Sequence, residues 1–308
     1  AVGILALILA GMTPFDSLIH TFSAVATGGF SSRPESIAYW DSFIIELILM
    51  ILMCLGSINF LTSYAVLVQR KGQAFVKSGE IRVMTAAFLV AIPILILGVT
   101  TQLYPDWGKA LRVGAFEAVS ALTGTGYNIS TTATWNGLGW MVLILLMTTG
   151  GGTGSTAGGI KQFRIYVLII ALLWEVRRAF LPSHAVNRPT IFRGIQREYL
   201  SDIQVRLIAL FTFLYITILF IGSTILMTYG YPLADSFFEF ASALGTVGMS
   251  VGITSKDAPD GVLWTMTTGM LLGRLEFFAV VIGLVKLVKD LRDILQGKPK
   301  QDAQTANP

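Results

Sequence analysis

Three nine-residue stretches of this chain align without gaps: SAVATGGFS at 23–31, SALTGTGYN at 120–128 and SALGTVGMS at 242–250. They share Ser-Ala, an aliphatic residue, three variable positions, glycine, a bulky residue and Ser or Asn. The likeness of the first and third copies extends upstream, where Asp16-Ser17 and Asp235-Ser236 stand at equal distance before the repeat serine. Each copy follows an amphipathic segment of about ten residues, half of the ~20 needed to cross a bilayer as a helix. Such a segment enters the membrane and returns. Non-helical backbone at that depth is tolerated only where it lines a water-filled cavity or is buried in protein. Each copy is followed, after a polar stretch, by a long apolar run, so a unit reads as helix, re-entrant helix, glycine-containing loop, helix.

The composition demands the same solvent. Of 308 residues, 54% are hydrophobic and 13% charged, a charged share roughly half that of soluble domains. Apolar runs recur at 43–68, 83–103, 138–149, 163–174, 205–229 and 262–288, too many for a removed signal peptide. The lone Cys54 lies inside one of them, which leaves no disulfide framework or thiolate metal cluster and points to packing. The net charge of +4 is carried by clusters flanking the apolar runs, which argues against nucleic-acid binding. Arg70, Lys71, Lys77 and Arg82 form one; Arg177, Arg178, Arg188, Arg193, Arg197 and Arg206 another; Lys286, Lys289, Arg292, Lys298 and Lys300 the third. By the positive-inside rule all three face the cytoplasm. Successive units then keep one orientation, and parallel repeats around an axis imply a central pore. The fold expected is an all-α polytopic membrane protein of tandem parallel helix, pore-loop, helix repeats. Its divisions are 1–70, 71–180, a basic cytoplasmic linker at 181–202, 203–297, and a polar tail at 298–308. The first apolar run, before Thr13-Pro14, is too short to span, and the expectation is that the first unit begins partway through a helix.

A cation crossing a membrane must replace its hydration shell, and rings of backbone carbonyls do so where a loop aims successive oxygens inward. Glycine permits that backbone geometry and close approach, which accounts for Gly29, Gly126 and Gly248 in one column. The candidate coordinating stretches are Ala26, Thr27, Gly28 and Gly29; Thr123, Gly124, Thr125 and Gly126; and Gly245, Thr246, Val247 and Gly248. The bulky Phe30, Tyr127 and Met249 are expected to pack behind the loops. The carboxyl end of each re-entrant helix offers partial negative charge to a cation at mid-membrane. Glu117 and Glu239 share a column with His20; these residues either draw cations to the mouth or brace the re-entrant helix from behind.

Between 138 and 174 the apolar sequence is cut by TTGGGTGSTAGGIK at 148–161, where each glycine costs a helix interior about 1 kcal/mol relative to alanine. It reads as a broken transmembrane helix whose loop borders a cavity. A phosphate-binding reading fails because Ile160 separates Gly159 from Lys161 and no Ser or Thr follows the lysine. The letters from Gly152 to Ala157 fit a dinucleotide fingerprint but follow an apolar helix rather than a strand. No catalytic constellation appears, and an enzyme is not expected. Arg274, inside the last apolar run, carries an insertion cost of at least about 2.5 kcal/mol. It either stands in the conduction path, pairs with Glu276 or snorkels to the membrane surface.

The three loops, together with the segment 148–161 and GMLLGRLE at 269–276, resemble the Trk/Ktr/HKT superfamily over nearly the whole chain. That resemblance implies potassium uptake through a carbonyl filter, with K+ as transported ion at the filter positions and no cofactor in this chain. It implies that Gly150, Gly151, Gly152, Thr153, Gly154, Ser155, Gly158, Gly159 and Lys161 belong to a loop that obstructs the pore beneath the filter, with the hydroxyls of Thr153, Ser155 and Thr156 available to an ion or water. It favours a barrier role for Arg274. It further implies a homodimer in a bacterial cytoplasmic membrane, served by a cytoplasmic nucleotide-binding regulatory ring on the basic linkers; the linkers' charge also fits attraction to anionic membrane lipid. Members of the superfamily carry four units, whereas three are visible here, so the 308 residues by themselves are expected not to conduct. In relatives, serine in place of a filter glycine accompanies sodium permeation, and glycine in all three columns here favours potassium. The competing readings are a sodium-conducting member of the same fold, a secondary transporter, which inverted rather than parallel repeats would favour, and a non-conducting scaffold.

Overall fold

The structure, a computed structural model, describes residues 1–70, 72–180, 189–193 and 196–274, with 283, 285–289 and 292 beyond them. Glu276, the polar tail and, of the third basic cluster, Lys298 and Lys300 lie outside the described residues.

In chain order the elements are α1 (Val2–Leu9), α2 (Pro14–Val25), α3 (Phe43–Ser57), α4 (Phe60–Leu67), α5 (Gln73–Lys77), α6 (Gly79–Leu95), α7 (Thr101–Leu103), α8 (Trp107–Thr123), α9 (Gly137–Thr149) and α10 (Gln162–Arg178), then strands β1 (Thr190–Arg193) and β2 (Gln196–Tyr199), and α11 (Asp202–Thr228), α12 (Leu233–Leu244) and α13 (Asp260–Arg274). The helix from Gly79 to Leu103, which includes a wider turn at Ile96–Thr100, and the helix Asp202–Thr228 are long and apolar enough to cross a membrane, at 25 and 27 residues. The three helices that lead into the repeats, α2, α8 and α12, have 12, 17 and 12 residues.

Their starts are written locally. Thr13 Oγ1 accepts from Asp16 N at 3.1 Å ahead of Pro14, and Asp106 accepts from Lys109 N at 2.9 Å. These caps satisfy amide groups that the first helical turn leaves without partners. Ser201 and Gln204 form a reciprocal capping box at the start of α11. Helix α8 is the innermost element, buried from Val113 through Thr123 except at Ala115. Small residues such as Gly114, Ala118 and Ala121 let its neighbours approach it.

Two expectations are corrected. The apolar run 43–68 is not one straight helix: α3 and α4 meet at 111°. Ile58 is extended at φ −78, ψ 145, and the Asn59 side chain caps α4 by accepting from Leu61 N at 2.9 Å. The bend frees the Ser57 carbonyl, which accepts Gly152 N from the glycine-rich loop at 2.8 Å. A continuous run of apolar letters conceals this because both sides of the bend are hydrophobic. In the stretch expected to be a basic linker, β1 and β2 form an antiparallel hairpin with Thr190 opposite Tyr199. Ile191 and Leu200 are buried against Tyr166 and Val167 of α10, so apolar anchoring holds the hairpin to the helices. Among the described residues every other regular element is a helix.

Candidate functional site

The three repeat loops leave the carboxyl ends of α2, α8 and α12 with one backbone pattern. The repeat serine's carbonyl accepts an N–H five residues on: Gly28 N to Ser23 at 2.7 Å, Thr125 N to Ser120 at 3.1 Å, Val247 N to Ser242 at 2.9 Å. The serine hydroxyls also hold the turn. Ser23 Oγ accepts from Phe30 N at 2.8 Å, Ser242 Oγ accepts from Gly248 N at 3.1 Å, and Ser120 Oγ donates to the Tyr127 carbonyl at 2.5 Å.

Left-handed residues alternate along each loop. The glycine column stands at φ +68, +82 and +93 for Gly29, Gly126 and Gly248, and two residues earlier Thr27, Gly124 and Thr246 stand at +50, +70 and +54. A threonine in that region costs about 1–3 kcal/mol and persists only where its surroundings fix it. Sequence reading anticipates the glycine column but not the threonines, since threonine carries no signal for positive φ. The loops also abut in order. A Cβ at Gly29 would collide with the Thr125 carbonyl, and one at Gly126 with the Val247 carbonyl, while one at Gly248 would meet nothing within 4 Å. Only glycine at 29 and 126 lets the first loop close on the second and the second on the third.

Behind the loops, one column acts as a brace. Glu117 Oε1 accepts from Ile129 N, Ser130 N and Ser130 Oγ at 2.9, 3.1 and 3.2 Å. Glu239 accepts from Ser250 Oγ, Val251 N and Thr254 N at 2.7, 2.9 and 3.0 Å. His20 bonds to Ser31 Oγ at 3.0 Å and to the Asp16 carbonyl at 2.7 Å. All three are buried, which decides for bracing over a place at the mouth. Tyr127 and Met249 are buried as expected, but Phe30 is 77% exposed. The space behind the first loop is taken by Tyr127, whose hydroxyl donates to the Phe30 carbonyl at 3.1 Å.

The segment 150–161 turns back between α9 and α10. Its base is zipped by Ile160 N to the Thr148 carbonyl at 2.9 Å, Lys161 N to Thr149 at 3.0 Å and Gln162 N to Gly151 at 2.9 Å. Lys161 itself is left-handed, at φ +81, and its Nζ donates to the Ala157 carbonyl. Its tip touches all three repeat loops. Thr27 Oγ1 donates to Thr156 Oγ1 at 3.0 Å; a Cβ at Gly124 would sit 3.4 Å from Ala157 Cβ; and a Cβ at Gly158 would collide with the Gly245 carbonyl and Thr246 Oγ1. Arg274 Nη1 donates to the Thr156 carbonyl at 2.5 Å. The alternative partner, Glu276, lies outside the described residues.

The residues singled out in the sequence therefore gather at one place, where three loop turns meet the tip of a fourth. Ser155 is turned into its own loop, donating to Gly152 O at 2.7 Å. Thr153 is instead drawn sideways, its N–H bonded to Glu80 Oε1 at 2.8 Å. Glu80 and the Ser57–Asn59 bend are participants that the sequence analysis did not find. The glycines of 269–276 serve packing: a Cβ at Gly273 would collide with the Leu244 carbonyl, and one at Gly269 would stand 2.9 Å from the Phe240 ring. Gly56 occupies the same place beneath the Val25 carbonyl, a correspondence between α3 and α13 hidden by their dissimilar sequences.

Known proteins are similar to this chain. The Trk system potassium uptake protein TrkH of Halomonas elongata is 31% identical over 287 residues, which cover 90% of this chain and 57% of that protein. The Trk system potassium uptake protein TrkG of Escherichia coli is 30% identical, covering 89% of this chain and 56% of that one. The crystal structure of the potassium transporter TrkH from Vibrio parahaemolyticus superposes with a TM-score of 0.81 at 28% identity, over 92% of this chain and 61% of that one. The chain thus spans about three-fifths of the length of these relatives. It is a multi-pass membrane protein, and because residues 6–290 match the family described as TrkH, cation transport protein, it belongs to that family.

Proposed function

We propose that this chain supplies three filter loops and the intramembrane gate of a channel-like transporter that takes up potassium across a bacterial cytoplasmic membrane. The observation that carries the reading is the abutment of three identically turned loops, with left-handed residues alternating along each and the tip of 150–161 pressed against all of them. Alternating backbone turns bring successive carbonyl oxygens to a common passage, where neutral dipoles replace ion hydration without the tight hold of a carboxylate. The carboxyl ends of α2, α8 and α12 add partial negative charge at the same point. The loop 150–161 blocks the passage from the cytoplasmic side, with Arg274 fixing its tip and adding positive charge below the filter. Uptake needs no ATP site, since the membrane potential supplies about 2.3 kcal/mol per charge for each 100 mV. The relatives named as Trk potassium uptake proteins support potassium as the ion. The working form is a homodimer under a cytoplasmic nucleotide-binding regulatory ring, for which the hairpin of β1 and β2 and the basic residues around it are the contact.

The test is rescue of a potassium-uptake-deficient bacterium at limiting potassium by the full-length protein, beside Gly126→Ser and Gly248→Ser. Rescue by the parent and failure of both variants, all three present in the membrane, is the expected result. Rescue by the variants as well would remove the filter assignment, and a parent that carries sodium instead would remove potassium.

A further inference from the structure

Glu80 belongs to none of the repeat loops, yet it is only 6% exposed in the first turn of α6. A buried carboxylate is costly unless it is hydrogen-bonded, and Glu80 Oε1 takes the backbone N–H of Thr153 at 2.8 Å. One residue earlier, Gly152 N donates to Ser57 O at 2.8 Å. Gly152 fits the corner so closely that a Cβ there would stand 3.0 Å from Asn59 N, 3.1 Å from Ser57 O and 3.4 Å from Glu80 Oε2. The α3–α4 bend and Glu80 thus form a socket for the first turn of the loop, separate from the contacts at its tip. A cavity of about 760 Å³ adjoins this socket, lined in part by Asn59, Phe60, Glu80, Thr153, Gly154 and Phe192. That is room for the turn to withdraw. Phe192 is on β1, and the Arg82 guanidinium of α6 lies 5.8 Å from its ring, so the hairpin borders both the cavity and the helix that carries Glu80.

We propose that Glu80 is the latch of the intramembrane loop, a positioning residue whose carboxylate holds Thr153 in the socket and so keeps the loop tip beneath the filter loops, and whose release lets the first turn withdraw into the adjoining cavity. The proposal rests on the gate reading above and adds the group that sets the gate's resting position. The bond is charge-assisted and therefore stronger than a neutral one. Glu80→Ala removes the acceptor, whereas Glu80→Gln keeps an oxygen for Thr153 N without the charge.

In the full-length protein, Glu80→Ala is expected to raise basal potassium uptake about tenfold, the size of one charge-assisted hydrogen bond, with the potassium-over-sodium preference unchanged and Glu80→Gln between it and the parent. Uptake unchanged in both variants, or selectivity lost along with the rise, overturns the latch. A second measurement does not depend on transport. With Cys54→Ala as background, Ser155→Cys is labelled by a membrane-impermeant thiol reagent in inside-out vesicles, and adding Glu80→Ala is expected to speed labelling several-fold. Equal labelling rates overturn the latch even if uptake changes. A parent that takes up no potassium defeats the proposed function alone, because labelling still reads the position of the loop.

Discussion

Two kinds of glycine-rich backbone meet at the centre of this protein, and they are held in opposite ways. Each repeat loop is pinned at its own serine, closed against its neighbour, and braced from behind by a buried side chain of its own re-entrant helix: His20, Glu117 or Glu239. The loop 150–161 is zipped at its base and makes a few bonds within itself, while its flank and tip also rest on groups from elsewhere, Ser57, Glu80, Thr27 and Arg274. Local bonds that a segment makes with its own helix survive any movement of neighbours. Bonds borrowed from other helices are lost one by one as those helices shift. Glycine content alone therefore does not say how a segment is held; the ownership of its hydrogen bonds does.

The sharpest way to break the comparison is Gly126→Ala. Its Cβ would collide with the Val247 carbonyl, and the residue sits at φ +82. A loss of at least about 3 kcal/mol is expected from overpacking and backbone strain together, read as failed growth at limiting potassium and a lowered unfolding temperature. Glu239→Ala strips the brace and leaves Ser250, Val251 and Thr254 without their acceptor. Three lost bonds at about 1 kcal/mol each should lower thermal stability in detergent and blur potassium over sodium in flux assays. On the other side of the comparison, Gly158→Ala should leave the filter intact. The added methyl pushes the loop tip off Gly245 and Thr246, and basal uptake is expected to rise about tenfold, a shift of about 1.4 kcal/mol toward the open state, with selectivity kept. The smallest effect is expected at the left-handed threonines. Thr246→Gly relieves strain at φ +54 but adds unfolded-chain entropy, and the two offset to within about 1 kcal/mol. Thr27→Gly also loses the bond to Thr156, so it should fall below Thr246→Gly by about 1 kcal/mol in paired thermal unfolding.

Much of the centre was legible because it is repeated. Three aligned serines and glycines announced three equivalent turns, and the glycine column does hold the left-handed backbone that its residue type permits. The column of His20, Glu117 and Glu239 was legible as a column, though only the fold decided between mouth and brace. Phe30 misled because its counterparts Tyr127 and Met249 are buried, whereas the Tyr127 ring already fills the space behind the first loop, where Phe30 would pack. The hairpin is not legible in the sequence since its strands are short and charged, and a single buried Ile191 supplies most of the anchoring on its first strand.

By itself the sequence determined the solvent, the helical class, the repeat and the places where backbone must leave the helix, because hydrophobic runs, glycine and proline act through local chemistry. Tertiary structure alone decided which loop closes on which, that α3 and α4 part at Ile58, and that Glu80 reaches Thr153, 73 residues away. Those are meetings between segments with no shared sequence signal. Their geometry is fixed by close packing of backbone on backbone, where a single Cβ is enough to forbid the contact.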